Sequence, residues 1–191
     1  MLNIAIVIGS TRPGRAGESV ARWFHDLAKT RDDAKFELID LAQVGLPLLD
    51  ESVPASMGQY SKPHTKQWAA TVDRFDAFVL VTPEYNHGTS AALKNALDFV
   101  YAEWNDKVAG FVGYGSAGGT RAVEQLRLVM AELQVATVRS QVALSLFTDF
   151  ENMSVCKPDP RHEKSVTGML DQLVAWGTAM KSMRESKQQK V

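Results

Sequence analysis

Residues 2–19 of the chain read LNIAIVIGSTRPGRAGES. The uninterrupted aliphatic run that ends at Ile8 predicts a strand buried on both faces, and a helix is expected from about Glu18. The loop between them consists mainly of glycines, hydroxyl side chains and arginines. Such a loop offers a phosphate backbone N–H groups, hydroxyls, guanidinium groups and the positive end of a helix dipole. The stretch therefore predicts a strand-loop-helix unit that binds a phosphorylated ligand.

The remainder of the chain repeats this alternation of strand and helix. The predicted strands are residues 3–8, 35–40, 76–82, 107–113 and a segment within 136–146, and the predicted helices are about 18–30, 120–133 and 160–183. Strands separated by helices form right-handed βαβ units, which build a parallel sheet between two layers of helices. We expect one α/β domain over residues 1–185 and a polar C-terminal tail over residues 186–191.

The composition argues against several classes of protein. The 191 residues include 21 Lys and Arg against 22 Asp and Glu, so the chain lacks the basic excess of a nucleic-acid-binding protein. No apolar run reaches the roughly 18 residues of a membrane span, and the N-terminus lacks the features of a signal peptide. The single cysteine, Cys156, argues against a disulfide framework or a thiolate metal site. We expect a cytoplasmic protein with no nucleic-acid partner, no membrane partner and no metal.

A long connection runs from Leu41 to Lys62. Connections of this length are typical of functional or mobile segments. Its apolar side chains are compatible with covering a ligand, with packing against a second subunit, or with plain surface packing. These side chains are Leu46, Leu48, Leu49 and Met57.

Three unusual loops follow the first, third and fourth predicted strands. In an open parallel sheet, ligands bind beyond the carboxyl ends of the strands, near the point where the strand order reverses. The three loops therefore lie at the edge where a ligand is expected. Their coincidence at one edge is a stronger indication of a binding site than any one of the three motifs.

The first loop resembles a triphosphate-binding loop only in part. Gly9 and Gly14 have the right spacing, but Arg15-Ala16 stands where Lys-Ser/Thr would hold the β- and γ-phosphates and Mg²⁺. A site for one terminal phosphate remains, and the alternative is a plain turn whose arginines face solvent. The expected donors are Ser10, Arg12, Ser19 and the N–H groups of residues 14–19.

The second loop reads TPEYNHGT over residues 82–89. Pro83 fixes the direction in which the chain leaves the strand, and Asn86 and Gly88 suit tight or left-handed backbone conformations. Such a backbone can present N–H and C=O groups to the edge of a planar heterocycle, with Tyr85 or His87 beside it. His87 is interpreted as a neighbour of the ligand, or as an ordinary polar loop residue, because no carboxylate is clearly paired with it.

The third loop reads GYGSAGGT over residues 113–120 and contains G-x-G-x-x-G. It follows the fourth strand instead of the first, and no acidic residue ends the next strand to bind a ribose. We interpret it as a wall of small residues that lets a flat ring approach the backbone. A phosphate site followed by a floor for a flat ring matches a mononucleotide with a large heterocycle, and FMN is the leading candidate.

On these residues the chain resembles the NADPH-dependent FMN reductase family, flavodoxin-like flavoproteins that include chromate, quinone and azo-dye reductases. The most specific part is Pro83-Glu84-Tyr85-Asn86 followed by Leu93-Lys94-Asn95-Ala96. The resemblance implies a flavodoxin-like three-layer α/β/α sandwich with a five-stranded parallel sheet in the order 2-1-3-4-5. Ser90-Ala91-Ala92 stands where members often have Pro-Gly, which affects the shape of the substrate pocket.

The resemblance also implies which residues bind FMN non-covalently. The ribityl phosphate would lie at Ser10, Arg12, Gly17, Glu18 and Ser19, the last three acting through backbone or hydroxyl groups. The isoalloxazine would lie along Pro83, Glu84, Tyr85, Asn86, His87 and Gly88, with Gly115 and Ser116 at its other edge.

The activity implied by the resemblance is that of an FMN-dependent NAD(P)H oxidoreductase. Hydride would pass from NADPH or NADH through flavin N5 to quinones, free flavin or azo compounds by a ping-pong mechanism, with no catalytic side chain. Arg12 and Arg15 could meet the 2′-phosphate of NADPH or the phosphate of FMN. Family members usually form homodimers or homotetramers.

Two other functions remain as alternatives. The first is a flavodoxin-like FMN-binding electron carrier or interaction module without reductase activity. Such carriers are typically strongly acidic, whereas this chain has a net charge of -1. The second is an NAD-linked dehydrogenase that uses residues 113–118, and the missing ribose-binding acid disfavours it.

Overall fold

The computed structural model describes residues 1–188 and contains one five-stranded parallel sheet. The strand order is β2-β1-β3-β4-β5, as the resemblance implies. The strands are β1 (Leu2–Ile8), β2 (Ala34–Asp40), β3 (Ala77–Pro83), β4 (Val108–Gly115) and β5 (Ala136–Ser145). Because all neighbouring strands are parallel, their carboxyl ends lie along one edge of the sheet.

Helices cover both faces of the sheet. One face packs against α1 (Gly17–Ala28) and α6 (Arg161–Gln188), and the other against α3 (Pro63–Asp73), α4 (Ala91–Asp98) and α5 (Thr120–Glu132). The smaller elements are α2 (Leu41–Val44), a 3₁₀ turn (Ala55–Met57) and a hairpin of β6 (Phe150–Glu151) and β7 (Val155–Cys156).

The central strands are apolar because both of their faces are covered. In β1, Ile4, Ile6 and Ile8 point towards α1 and α6, whereas Ala5 and Val7 point to the opposite face. All five are buried. Successive residues of β1 therefore pack into the core on opposite faces of the sheet. Because both faces are covered, all five of these residues have to be apolar.

β5 forms the exposed edge of the sheet and departs from regular pairing. Between the pairs Ala109–Thr137 and Phe111–Gln141, β5 advances four residues while β4 advances two. The guanidinium group of Arg127 fills the irregularity, because it donates to the carbonyl groups of Val138 (2.8 Å) and Arg139 (3.2 Å). Arg127 on α5 therefore fastens the helix to the edge of the sheet.

The predicted strands and helices are confirmed, with ends that differ by a few residues. The last helix continues to Gln188, so residues 186–188 of the predicted tail are helical, and residues 189–191 lie outside the described residues. Five elements were not among the predicted ones: α2, the 3₁₀ turn, α3, α4 and the β6–β7 hairpin. The hairpin is hard to predict because each of its strands has only two residues. Within residues 1–188, no helix has both the length and the apolar character needed to cross a membrane.

Candidate functional site

The loops that follow β1, β3 and β4 meet at the carboxyl edge of the sheet. The Gly9 N–H donates to the Val81 carbonyl (2.9 Å), and the hydroxyls of Ser10 and Tyr85 lie 3.1 Å apart. The Glu84 N–H donates to the carbonyl of Tyr114 (3.2 Å). The structure therefore brings the three loops singled out in the sequence into one continuous surface.

The N-terminus of α1 presents unpaired backbone donors next to the first loop. The residue that precedes the helix, Ala16, provides no side-chain cap, and the first N–H bonded back is that of Val20, to the Ala16 carbonyl (3.1 Å). Within residues 1–188, the N–H groups of residues 17–19 have no hydrogen-bond partner. Free N–H groups at the positive end of a helix dipole favour an anion.

The two arginines of the first loop have different surroundings. Arg15 is largely buried and hydrogen-bonded to the carboxylate of Asp40, with Glu18 at 3.8 Å. Arg12 is exposed and forms no ion pair with any residue of the described chain. Because Arg15 is already paired, Arg12 is the cation of this loop that remains available to an anionic ligand.

The side chains of Glu18 and Ser19 are also engaged. The carboxylate of Glu18 accepts a hydrogen bond from Arg22 (2.8 Å). The Ser19 hydroxyl donates to the Ala16 carbonyl (2.8 Å) and accepts from the N–H of Cys156 (3.2 Å). Both residues therefore offer a ligand their backbone N–H groups only, and Ser19 in addition fastens the β6–β7 hairpin to α1.

The second loop forms a two-residue hairpin turn. Tyr85 and Gly88 exchange backbone hydrogen bonds (2.9 and 3.0 Å), and Asn86 and His87 have φ angles of 50° and 67°. A tight or left-handed conformation was predicted for Asn86 and Gly88. Asn86 is left-handed, and Gly88 closes the tight turn through its hydrogen bonds with Tyr85. His87 is the second left-handed residue, because a tight hairpin turn requires positive φ at both central residues. The N–H groups of Asn86 and His87 have no partner within residues 1–188.

Glu84 is buried beneath this hairpin, and its carboxylate caps the N-terminus of α5. It accepts hydrogen bonds from Arg121 Nε (2.5 Å) and from the backbone N–H groups of Arg121 (3.0 Å) and Ala122 (3.4 Å). Burial alone raises the pKa of Glu84, but these hydrogen bonds and the guanidinium charge outweigh it and lower the pKa. Glu84 therefore holds α5 in place, and its side chain is not free to contact a ligand.

Arg121 connects α5 to the hairpin and was not singled out in the sequence. Its Nη1 lies 2.8 Å from Nε2 of His87. Since a guanidinium group only donates, Nε2 of His87 accepts in this contact. Gln125 donates to the His87 carbonyl (2.8 Å). The sequence signal was Gly119, the residue that precedes α5. Glycine has no side chain to cap the helix, so the free N–H groups of the first turn need an acceptor from elsewhere.

The glycines of the third loop are required by the loop's own packing. A Cβ atom on Gly113 would lie 2.7 Å from the Gly118 carbonyl oxygen, and one on Gly119 would lie 2.6 Å from the Tyr114 nitrogen. The space beside these two glycines is therefore filled by protein. Gly115 is buried against Glu84, and the exposed part of the loop is Ser116-Ala117. Ser116 is thus the side chain that the third loop offers to a ligand.

An apolar cleft of about 470 Å³ adjoins the first loop on the side of β2. Its walls come from α2, the segment that follows it, and the first turns of α4. The lining residues include Thr11, Leu41, Leu46, Leu48, Ala91 and Ala92. Ala91 and Ala92 belong to the segment that the sequence analysis connected with the shape of the substrate pocket, and they line this cleft.

Comparisons with known proteins agree with this fold. The model of the NADPH-dependent FMN reductase family matches residues 2–149. An NAD(P)H-dependent FMN reductase from Nectria sp is 38% identical over 159 residues, which are 78% of this chain and 79% of the relative. A 2-hydroxy-1,4-benzoquinone reductase from Burkholderia sp is 28% identical over 92% of this chain and 96% of its own.

A solved structure supports the fold independently. The flavoenzyme NAD(P)H:(acceptor) oxidoreductase of Paracoccus denitrificans superposes with a TM-score of 0.72 at 19% identity, over 94% of this chain and 99% of that chain. The family match covers all three loops and all five strands of the sheet. The chain therefore belongs to the NADPH-dependent FMN reductase family.

Proposed function

We propose that this protein is an FMN-dependent NAD(P)H oxidoreductase in which NAD(P)H and a small oxidised acceptor use one site in turn. The observation on which the proposal rests is the pairing, at one sheet edge, of an uncapped helix N-terminus with a hairpin that exposes two backbone N–H groups. The first suits a phosphate and the second suits the polar edge of a flat ring. When bound, FMN supplies the hydride chemistry at N5.

The residues present fit the phosphate end of FMN. The first loop and the start of α1 carry the unpaired N–H groups of residues 17–19, the hydroxyl of Ser10 and the guanidinium group of Arg12. Arg15 contributes indirectly, because its pairing with Asp40 fixes the loop. An exposed arginine without a partner beside a free helix N-terminus is the charge pattern that a phosphate neutralises.

The ring end is supported by the hairpin and the third loop. Pro83 and Gly88 define the ends of the hairpin segment, and the N–H groups of Asn86 and His87 face outward. Tyr85 is 38% exposed, so its ring can cover part of a flat ligand while its hydroxyl contacts Ser10. These groups bind and orient, and we assign no acid–base catalyst among them.

The acceptor is proposed to be a quinone, free flavin or an azo compound. The relatives include a 2-hydroxy-1,4-benzoquinone reductase and an FMN-dependent NADPH-azoreductase. The polar groups of the site are used to hold the cofactor. The acceptor is therefore selected by its shape and by stacking, and both favour flat aromatic oxidants. We place the protein in the cytoplasm, where NAD(P)H is available.

A homodimer or homotetramer is proposed from the apolar surface beside the first loop. Leu48, Leu49 and Met57 are 81%, 47% and 60% exposed and adjoin or follow the segment that lines the cleft of about 470 Å³. Exposed apolar side chains grouped near a cleft are typical of a protein interface. The segment 41–62 is then an interface segment.

The decisive experiment is the visible absorbance spectrum of the purified protein, followed by anaerobic titration with NADPH and NADH. We expect a flavin spectrum that either nucleotide bleaches and that a quinone restores. A protein that binds FMN but is not reduced by NAD(P)H would be an electron carrier. A colourless protein that neither binds added FMN nor oxidises NAD(P)H would contradict the proposal.

A further inference from the structure

Tyr114 has a buried hydroxyl group without a hydrogen-bond partner. The residue is 5% exposed, and its ring packs against that of Phe150 with the centroids 6.1 Å apart. Within residues 1–188, no protein atom meets hydrogen-bond geometry with its hydroxyl oxygen, and the nearby Ser10 hydroxyl is itself paired with that of Tyr85 (3.1 Å). A buried hydroxyl without a hydrogen-bond partner destabilises the protein. Such a group therefore requires an explanation, and one is that it donates to a bound ligand.

The Tyr114 hydroxyl lies against the first residue of α1. A Cβ atom placed on Gly17 would be 2.6 Å from the hydroxyl oxygen, so only glycine at this position lets the two groups approach so closely. The N–H of Gly17 is one of the three unpaired donors at this helix end. The hydroxyl therefore lies next to the residue that carries the first of these backbone donors.

The charges around this point are positive. The guanidinium groups of Arg12 and Arg15 both act on the Tyr114 hydroxyl, and the hydroxyl of Tyr85 is a further neighbour. Burial raises the pKa of Tyr114, so the group keeps its proton at neutral pH and is available as a donor. A donor among cations and helix N–H groups is suited to an anion with several acceptor oxygens.

We propose that the Tyr114 hydroxyl donates a hydrogen bond to the phosphate of the bound flavin mononucleotide and so makes the site select the phosphorylated flavin over riboflavin. The inference rests on the proposed function, because it concerns how the same cofactor is held. Tyr114 is a binding residue in this role and takes no part in the redox step. Tyr114 belongs to the third loop, which the sequence analysis connected only with the isoalloxazine ring of the flavin.

The test compares FMN and riboflavin binding to the apoprotein by quenching of flavin fluorescence. Tyr114→Phe removes the hydroxyl and leaves the ring in place. Tyr101→Phe is the matched control, since its hydroxyl donates to the Glu132 carbonyl (3.1 Å) at the opposite end of the sheet. We expect Tyr114→Phe to weaken FMN binding by about tenfold, the effect of one hydrogen bond to a charged group, and to leave riboflavin binding unchanged.

A second variant tests the contact with α1. Gly17→Ala introduces a methyl group that meets the Tyr114 hydroxyl, so FMN binding weakens. In the double variant Gly17→Ala/Tyr114→Phe the collision is relieved, because the next ring atom, Cζ, is 3.4 Å away. We expect the effect of Gly17→Ala on FMN binding to be several-fold smaller in the Phe background.

The outcomes separate the inference from the proposed function. If the wild type binds FMN and Tyr114→Phe binds it equally well, or loses FMN and riboflavin affinity in equal measure, the role of Tyr114 is refuted and the proposed function stands. If the wild type binds neither flavin, both are refuted. Folding is checked by thermal denaturation of the apoproteins, in which Tyr114→Phe should melt no lower than wild type, because it removes an unpartnered polar group.

Discussion

At the scale of single residues, the site depends on side chains that do not themselves face the ligand. Glu84 and Arg121 fix the relation between α5 and the hairpin, and Ser19 joins α1 to the β6–β7 hairpin. Such positioning residues hold the exposed N–H groups of the loops in place. Substitutions there are expected to change stability and cofactor affinity together.

Glu84→Gln removes the charge that caps α5 while keeping the shape of the side chain. We expect the free energy of unfolding to fall by about 2 kcal/mol, because the guanidinium group of Arg121 loses its buried counter-ion. FMN affinity should fall as well, since the hairpin loses its anchor. Urea denaturation and flavin titration measure the two effects.

The matched control is Glu37→Gln, which breaks the exposed pair of Glu37 with Arg74 (2.5 Å). Exposed ion pairs contribute between zero and about 1 kcal/mol, so this variant should remain close to wild type. If Glu84→Gln and Glu37→Gln both lowered the free energy of unfolding by the same small amount, the role assigned to Glu84 would be contradicted.

Lys107 gives the protein a distinctive dependence on alkaline pH. Its amine is buried and donates to the carbonyl groups of Val72 (2.9 Å) and Asp73 (3.0 Å), and burial lowers its pKa from 10.5 to about 8. Between these two values the unfolded chain binds more protons than the folded one. The free energy of unfolding therefore contains a contribution from Lys107 that rises with pH across this window.

Lys107→Met removes this contribution. We expect the difference in unfolding free energy between wild type and Lys107→Met to shift in favour of wild type as the pH rises from about 8 to about 10. Urea denaturation of both proteins at several pH values measures it. A difference that stays constant over this range would show that the amine is charged in both states.

At the scale of elements, the small β6–β7 hairpin is attached to α1, the helix proposed to bind the phosphate. The contact runs from the Cys156 N–H to the Ser19 hydroxyl, between residues 137 positions apart in sequence. Burial, aided by the charge of Asp149, raises the pKa of the Cys156 thiol to about 12. The thiol therefore reports on whether the hairpin is closed, because only an opened hairpin lets it ionise readily.

Ser19→Ala should open this hairpin more often. We expect alkylation of Cys156 by iodoacetamide at neutral pH to become about fivefold faster, which corresponds to the loss of one hydrogen bond of about 1 kcal/mol. Thr167→Ala is the control, because that hydroxyl makes an equivalent bond within α6, to the Glu163 carbonyl (3.0 Å). An alkylation rate unchanged by Ser19→Ala would mean that the hairpin is held by other contacts.

Some of the strands could be predicted from the sequence and others could not. β1, β3 and β4 were predictable because each is an apolar run buried on both faces. The β6–β7 hairpin has no such pattern, and its position depends on Ser19, far away in sequence. The contacts of Glu84 and His87 with Arg121 were not predicted either, because Arg121 belongs to α5 and is distant from both residues in sequence.

At the scale of the whole molecule, the apolar cleft beside the first loop bears on assembly. Leu48→Glu places a charge on the most exposed of its apolar side chains. If this surface is the interface, the variant should dissociate to monomers, because a desolvated, unpaired carboxylate strongly disfavours association. Sedimentation velocity of the wild type and the variant measures the change.

The control for this prediction is Leu128→Glu. Leu128 is 76% exposed and belongs to α5, away from the cleft. It should leave the oligomer intact. A wild type that sediments as a monomer, or dissociation caused by Leu128→Glu instead of Leu48→Glu, would contradict the assignment of the interface to residues 41–62.

The irregular stretch of β5 has a consequence for solubility. An edge strand can template the growth of ordered aggregates, because its unpaired carbonyl groups accept N–H groups from another chain. In this protein Arg127 already occupies the carbonyl groups of Val138 and Arg139, and the strand is out of register with its neighbour over the same residues. Fibril growth from this edge would first have to displace a guanidinium group that is also packed over Phe111, so the molecule is protected at this edge of the sheet.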